Sequence, residues 1–263
     1  PHIRKSQLRA MARRQLAVFF CRELIPYRQA LAWQRQIQAR AFGENPPNFD
    51  VLLLLQHESI FTLGRRSVLE NLRFNLDDQE HDIIRVERGG EVTWHGPGQL
   101  VGYPILNLVH HKKDLHWFLR SIEQVIIDTL KDYKLTGERD DAGTGVWVDK
   151  SKVAAIGLSA SKWVSMHGFS INVNPDLESF ERIVPCGIEG RNVTSLDRLL
   201  NRDDNITSSD YLCIDDVARI IGSRFASQFD LELEWQDHAV VPPDIVASGE
   251  SETSFSIVRE RRL

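Results

Sequence analysis

The chain has 263 residues, of which 42% are hydrophobic and 26% charged, and its formal net charge is −5. That is the composition of an ordinary folded protein long enough to bury a sizeable core. The acidic balance gives no nucleic-acid footprint, and no apolar run approaches the roughly 20 residues of a membrane-spanning helix.

From Pro1 to Arg22 the chain carries six Lys or Arg residues and no acid, which leaves −11 for the remainder. A mitochondrial transit segment and a disordered basic tail both fit such a start, and Met11 could itself be an initiator. Residues 1–15 are therefore set apart as a basic extension. Leu16 to Phe20 reads as a strand. Pro26 opens a helical pattern through Ala30, Leu31, Ile37 and Phe42. Gly43 to Asn48 reads as a loop, and Val51 to Gln56 as a strand ending at His57. Phe61–Gly64, Ile83–Val86 and Leu100–Leu108 are further strand candidates. The clearest helix runs from Asp114, a suitable N-cap, to Tyr133. Gly145–Val148, Lys152–Leu158 and Met166–Val173 read as three successive strands, Asp215–Phe229 as a helix, and Leu231–Trp235 as a half-exposed strand. Residues 236–263 read as a flexible tail. Interspersed helices and strands with no repeat predict a single α/β (α+β) domain over residues 16–235, a mixed sheet flanked by helices.

Three segments carry chemistry. Arg88 to Gln99 holds four glycines and a proline. Glycine permits φ > 0 and close approach of main-chain N–H groups to a ligand, yet the run lacks the spacing of a phosphate-binding loop. On its residues alone it reads first as a pair of tight turns, with His95 either structural or an acid and base. Lys152 begins an apolar strand rich in small residues, which suggests a place beside a cleft, where a partly desolvated lysine gives up its proton more readily. His167 precedes Gly168 and reads as structural. Pro185 and Gly187 frame Cys186 in a tight bend; Cys21 and Cys213 have no such frame and read as filler. The three cysteines are too few and too scattered for a disulfide framework, form no zinc pair and imply a reducing compartment. His110, His111 and His116 lack a matching carboxylate or cysteine pattern, so no metal is expected there. A cysteine assisted by a lysine runs acyl transfer without a metal, but spacing does not bring Lys152 to Cys186.

Together these segments resemble the lipoyl(octanoyl) transferase family. The Arg-Gly-Gly-x-x-Thr-x-His-Gly-Pro-Gly-Gln run stands at Arg88 to Gln99, the Lys-x-Ala-x-Ile-Gly element at Lys152 to Gly157, the His-Gly and Asn-Val-Asn elements at His167, Gly168 and Asn172 to Asn174, and Pro-Cys-Gly at Pro185 to Gly187. The resemblance covers about residues 16 to 200. It implies the catalytic-domain fold of biotin/lipoate protein ligases. It also implies transfer of octanoyl from octanoyl-acyl carrier protein to lipoyl domains, those of 2-oxoacid dehydrogenase E2 subunits and of the glycine-cleavage H protein. Cys186 would be the acyl-thioester nucleophile and Lys152 its acid/base partner. The acyl chain would lie against Arg88, Gly89, Gly90, Glu91, Val92, Thr93, Trp94 and His95, against Ala155, Ile156 and Gly157, and against Gly168, Phe169 and Ser170. Glu91 and Trp94 occupy positions the signature leaves variable. The acyl group arrives activated, so neither ATP nor another cofactor is implied. Two rivals are an ATP-dependent lipoate or biotin ligase, which needs no nucleophilic cysteine, and a non-catalytic carrier- or lipoyl-domain-binding protein. Family members occur in bacteria and mitochondria; the basic start favours mitochondria, with the bacterial cytoplasm as the alternative.

Overall fold

A computed structural model describes residues 13–43, 46–75, 81–140, 143–184, 192–201 and 212–236. Most of the basic extension and nearly all of the proposed tail lie outside these residues, as does Cys186. Eleven strands and five helices are present among the described residues: β1 (Gln15–Ile25), α1 (Tyr27–Arg40), β2 (Phe49–His57), β3 (Ile60–Leu63), β4 (Ile83–Arg85), β5 (Thr93–His95), β6 (Gln99–Ile105), α2 (Leu115–Asp132), β7 (Glu138–Asp140), β8 (Gly143–Val148), β9 (Ser151–Ser161), β10 (Val164–Asn172), α3 (Glu178–Glu181), α4 (Leu196–Leu200), α5 (Ile214–Gln228) and β11 (Glu232–Gln236). Eight strands form a mixed sheet in the order β11-β1-β2-β6-β10-β9-β8-β7, and a small sheet has the order β4-β3-β5.

The apolar runs of β1 and β2 follow from burial on both faces, which leaves no position for a polar alternation. Leu16, Val18, Phe20, Leu52 and Leu54 turn to one side and pack with α2 and α5. Ala17, Phe19, Cys21, Val51, Leu53 and Leu55 turn to the other and pack with Ala30, Trp33 and Ile37 of α1. The first layer is the larger, and Phe225 and Phe229 stack within it at 4.5 Å between ring centroids. The Asp114 side chain caps α2 by accepting from the Trp117 N–H at 3.0 Å, as the sequence predicts. None of the helices is long and apolar enough to cross a membrane among the described residues.

The strand expected to reach Leu108 ends at Ile105, and an Asn107-capped turn at residues 108–110 follows it. Helix α1 stops at Arg40, two residues before Phe42, which is exposed. Within the glycine-rich run, Thr93–His95 is a strand rather than turn, paired antiparallel with β3. Behind the small sheet, Phe61, Leu63, Val92, Trp94, Phe180 and Ile183 make a separate core that props this strand against the main sheet. Phe225 is fully enclosed, so Phe225→Ala is expected to lower unfolding free energy by about 3–5 kcal/mol, read from urea denaturation with an unchanged denaturant slope.

Candidate active site

A cavity of about 370 Å³ opens between the small sheet and the main one, within the size range of small-ligand sites. Its floor is set by strand register. Gly145 of β8 pairs with Ala155 of β9, Ala155 with Ser170 of β10, and Ser170 with Val101 of β6. A second row runs Gly157, Gly168, again across β9 and β10. Side chains on one face alternate along a strand, so these small residues form one shallow trough. Arg88 to Thr93 and His95 overhang it.

The overhang is anchored to both sheets at its start. The buried Arg88 donates from Nε and Nη2 to Thr62 Oγ1 (3.2 and 2.8 Å), from Nη2 to Thr62 O (2.7 Å) and from Nη1 to Gly89 O (3.1 Å). The Gly89 N–H donates to Leu158 O at 2.9 Å. A Cβ on Gly157 would stand 2.8 Å from Gly89 O, and one on Gly64 only 2.3 Å from Gly90 O. Glycine thus serves backbone-on-backbone contact here. Gly90 itself has φ +89°.

Lys152 stands at one end of the trough, buried at 6% exposure. Its Nζ lies 5.2 Å from the centre of the Trp147 ring. Gly145, at φ +144°, makes room for it: a Cβ there would meet Lys152 Cε at 2.5 Å. The Lys152 N–H donates to Asn192 O and its carbonyl accepts from Thr194 N–H, both at 2.9 Å. The next described residue before Asn192 is Val184, whose N–H donates to Asn71 O at 2.8 Å. Cys186 falls between them, outside the described residues. Of the other cysteines, Cys21 is buried and burial pushes its thiol up to about 11, which makes it inert as a nucleophile; Cys213 is exposed just before α5.

The opposite end is a cluster that spacing did not signal. His57 Nδ1 donates to Ile25 O (2.7 Å), so its Nε2 accepts from the Tyr103 hydroxyl (2.7 Å). Tyr27 lies beside Tyr103 and stacks on His95 at 5.8 Å. Burial keeps all of these neutral: Tyr27 is raised to about 12 and Tyr103 well above its usual value. Burial lowers His57 to about 4, and burial together with the nearby His57 lowers His95 to about 3. Tyr103 is a single aromatic in an apolar strand and Tyr27 stands between Pro26 and Arg28, and nothing in their spacing marks them. His167 lines the same cavity at φ +58°, an uncommon backbone for a non-glycine residue. Its N–H donates to Gln34 Oε1 at 2.8 Å, and burial lowers the basicity of its ring.

Of the residues named from the sequence, Lys152, Arg88 to Thr93, His95, Ala155 to Gly157 and Gly168 to Ser170 all border the cavity. Trp94 does not. It is buried behind the wall, donates from Nε1 to Ser59 Oγ at 2.9 Å, and meets the Phe180 ring edge-on, because alternation along β5 turns it away from its two neighbours. Away from the cavity, His111 Nε2 sits 2.8 Å from Asp50 Oδ2, which also holds Arg14.

Two predictions follow from this geometry. Gly145→Ala, strained at its φ and overlapping Lys152, is expected to lower both melting temperature and turnover. The two depressed histidines set a pH dependence. Each protonates in the unfolded chain below about pH 6.5 but in the folded chain only near 4 or 3. Stability is therefore full above that unfolded value and falls as pH drops towards the folded ones, on the order of 3 kcal/mol for each group. His57→Phe should flatten part of this slope in denaturation measured from pH 7 to 4.

The lipoyl protein ligase A/B catalytic domain family model matches residues 26–217. An octanoyltransferase of Synechococcus elongatus is 49% identical over 80% of this chain and 86% of its own. One of Nostoc punctiforme is 52% identical over 69% and 78%. The chloroplastic octanoyltransferase LIP2p2 of Arabidopsis thaliana is 42% identical over 81% and 78%. Among solved structures, lipoate-protein ligase A bound with ATP superposes with a TM-score of 0.66 at 15% identity, over 84% of this chain and 88% of that one. The lipoate protein ligase of an archaeal lipoylation system from Thermoplasma acidophilum gives 0.63 at 13%, over 88% and 90%. These two likenesses concern the fold. The sequence relatives are cyanobacterial or chloroplastic, so the mitochondrial expectation drawn from the basic start gains no support from them. With 49% and 52% identity to two such relatives along most of their length, the chain belongs to the octanoyltransferase family, on the lipoyl protein ligase A/B catalytic-domain fold.

Proposed function

We propose that this chain transfers an octanoyl group from octanoyl-acyl carrier protein to a lysine of lipoyl domains, those of 2-oxoacid dehydrogenase E2 subunits and the glycine-cleavage H protein, through a thioester on Cys186. The observation that carries the reading is Lys152. It is buried at the end of a small-residue trough, and its backbone is bonded to Asn192, six positions after Cys186. Two positions before Cys186, Val184 is bonded to Asn71, whose side chain reaches Glu91 of the cavity wall at 3.4 Å.

The chemistry proceeds by two exchanges. The Cys186 thiol gives its proton to Lys152, and the thiolate attacks the donor carbonyl carbon. The carrier carbon–sulfur bond breaks, and Lys152 returns a proton to the departing carrier thiol. A lysine amine of the acceptor then attacks the acyl-enzyme. The new amide forms as the Cys186 sulfur leaves, and Lys152 takes the surplus amine proton. Thioester for thioester is nearly balanced, and thioester to amide runs downhill, so the acyl group needs no further activation. The trough holds the chain, each buried CH₂ contributing about 0.8 kcal/mol. The compartment that suits cyanobacterial relatives is the bacterial cytoplasm.

Incubated with octanoyl-acyl carrier protein alone, the protein is expected to gain one octanoyl group, about 126 Da, as a covalent intermediate. Cys186→Ala should abolish the adduct. Lys152→Ala should slow transfer to a lipoyl domain by about 10²-fold or more. Transfer at the normal rate in Cys186→Ala would remove the covalent route.

A further inference from the structure

The inner end of the trough carries an acceptor that an alkyl chain does not use. His95 Nδ1 is 2.7 Å from Gln99 Oε1. The Gln99 amide is oriented by its other bonds: Nε2 donates to Trp94 O (3.3 Å) and to Asn172 Oδ1 (2.9 Å). Asn172 is oriented in turn, since its Nδ2 donates to Thr194 O at 2.9 Å. Two backbone carbonyls therefore fix both amides, Gln99 Oε1 is an acceptor, and His95 must carry its hydrogen on Nδ1. The ring is neutral, so Nε2 bears a lone pair. It has no hydrogen-bond partner among the described residues and opens on the cavity.

The length of the trough sets what meets that lone pair. From Gly145, under the head of Lys152, to Val101 is three strand spacings, about 14 Å. Seven carbon–carbon bonds in an extended octanoyl chain span about 9 Å. A terminal hydroxyl and one hydrogen bond bring the reach to about 13 Å. A chain that starts at Lys152 thus ends over β6, where Gln99, on the same face as Val101, holds His95. A methyl group arriving there leaves the acceptor unmatched, whereas a hydroxyl donates to it.

We propose that the inner end of the trough is a hydrogen-bond-accepting subsite built on His95, Gln99 and Asn172, through which this chain also transfers medium-length acyl groups bearing a hydroxyl on the terminal carbon. This rests on the acyl-transfer reading above. The step is the same exchange: the donor carbon–sulfur bond breaks, the bond to the lysine nitrogen forms, and an amine proton passes to the departing thiolate. The hydroxyl stays intact.

The test compares octanoyl- and 8-hydroxyoctanoyl-carrier protein as donors to a lipoyl domain, using the full chain. An apolar pocket end discriminates against an added hydroxyl by about 10²-fold. The wild type is expected to keep kcat/KM for the two donors within about tenfold, because the lone pair takes up the hydroxyl. His95→Phe, which keeps the ring and removes the acceptor, should depress the hydroxyacyl donor at least about tenfold more than octanoyl. A wild-type preference for octanoyl beyond that, or an equal loss of both donors in His95→Phe, would overturn the proposal while leaving octanoyl transfer standing. The wild-type ratio decides even should the variant fold poorly. Absence of octanoyl transfer by the wild type would instead overturn the function itself, and this subsite with it.

Discussion

The Arg88 guanidinium grips both oxygens of Thr62 on the small sheet, and the adjacent Gly89 amide donates to Leu158 on the large one. The cavity depends on this double anchorage. Neither sheet alone encloses a volume; the overhang does, and it stays at a fixed height because a charged fork and a main-chain bond act within two residues of each other. Charge-assisted bonds of this kind are the strong ones, and Arg88 is itself buried, so its geometry is not loosened by solvent. Gly64 and Gly157 keep the approach close. The arginine that opens the sequence signature therefore has Nε, Nη1 and Nη2 each bonded to the scaffold.

A second set of bonds runs beside the trough from His95 through Gln99 and Asn172 to Thr194, whose N–H donates to the Lys152 carbonyl. The histidine at one end of the trough and the lysine at the other thus belong to one buried network. Both amides of this network are matched at each end, which holds them in a single arrangement and leaves His95 Nε2 as the member that faces the cavity. It is also why the Gln99 and Asn172 positions of the motifs carry polar side chains deep inside the protein, where an unmatched amide is costly.

Much of the fold was legible because burial leaves a mark on sequence. Leu16–Phe20 and Val51–Gln56 are uninterrupted apolar runs, as two-sided strands require, and Asp114–Tyr133 and Asp215–Phe229 keep helical spacing because one face packs on the sheet. Two of the short strands, read at Phe61–Gly64 and Ile83–Val86, were legible as well, but two others were not. Thr93–His95 has three residues inside a glycine-rich run, and Glu138–Asp140 is largely exposed, so neither shows an alternation to read. One wall of the site was legible through the glycine-rich run, the lysine strand and the His-Gly element, all now seen bordering one cavity. The other wall was not. Tyr27, His57 and Tyr103 come from three separate elements, and only the crossing of α1 over β2 and β6 brings them together. Trp94 shows the opposite failure, since adjacency to His95 in sequence says nothing of the alternation that turns it inward.

The composition of the trough makes its dimensions hard to adjust. Its floor is already at the lower limit of side-chain size, with Gly157, Gly168, Ala155 and Ser170. A larger side chain at Ala155 or Ser170 fills space and suits shorter acyl chains, whereas one at Gly157 or Gly168 would overlap the backbone oxygen of Gly89 or Gly102. Room for longer ones must come from the Tyr27, Tyr103 and His95 end, where each removal strands a hydrogen-bond partner in the interior. Diversification of this scaffold towards long chains is thereby penalised in folding stability, and diversification towards short ones has only Ala155 and Ser170 to work with on the floor.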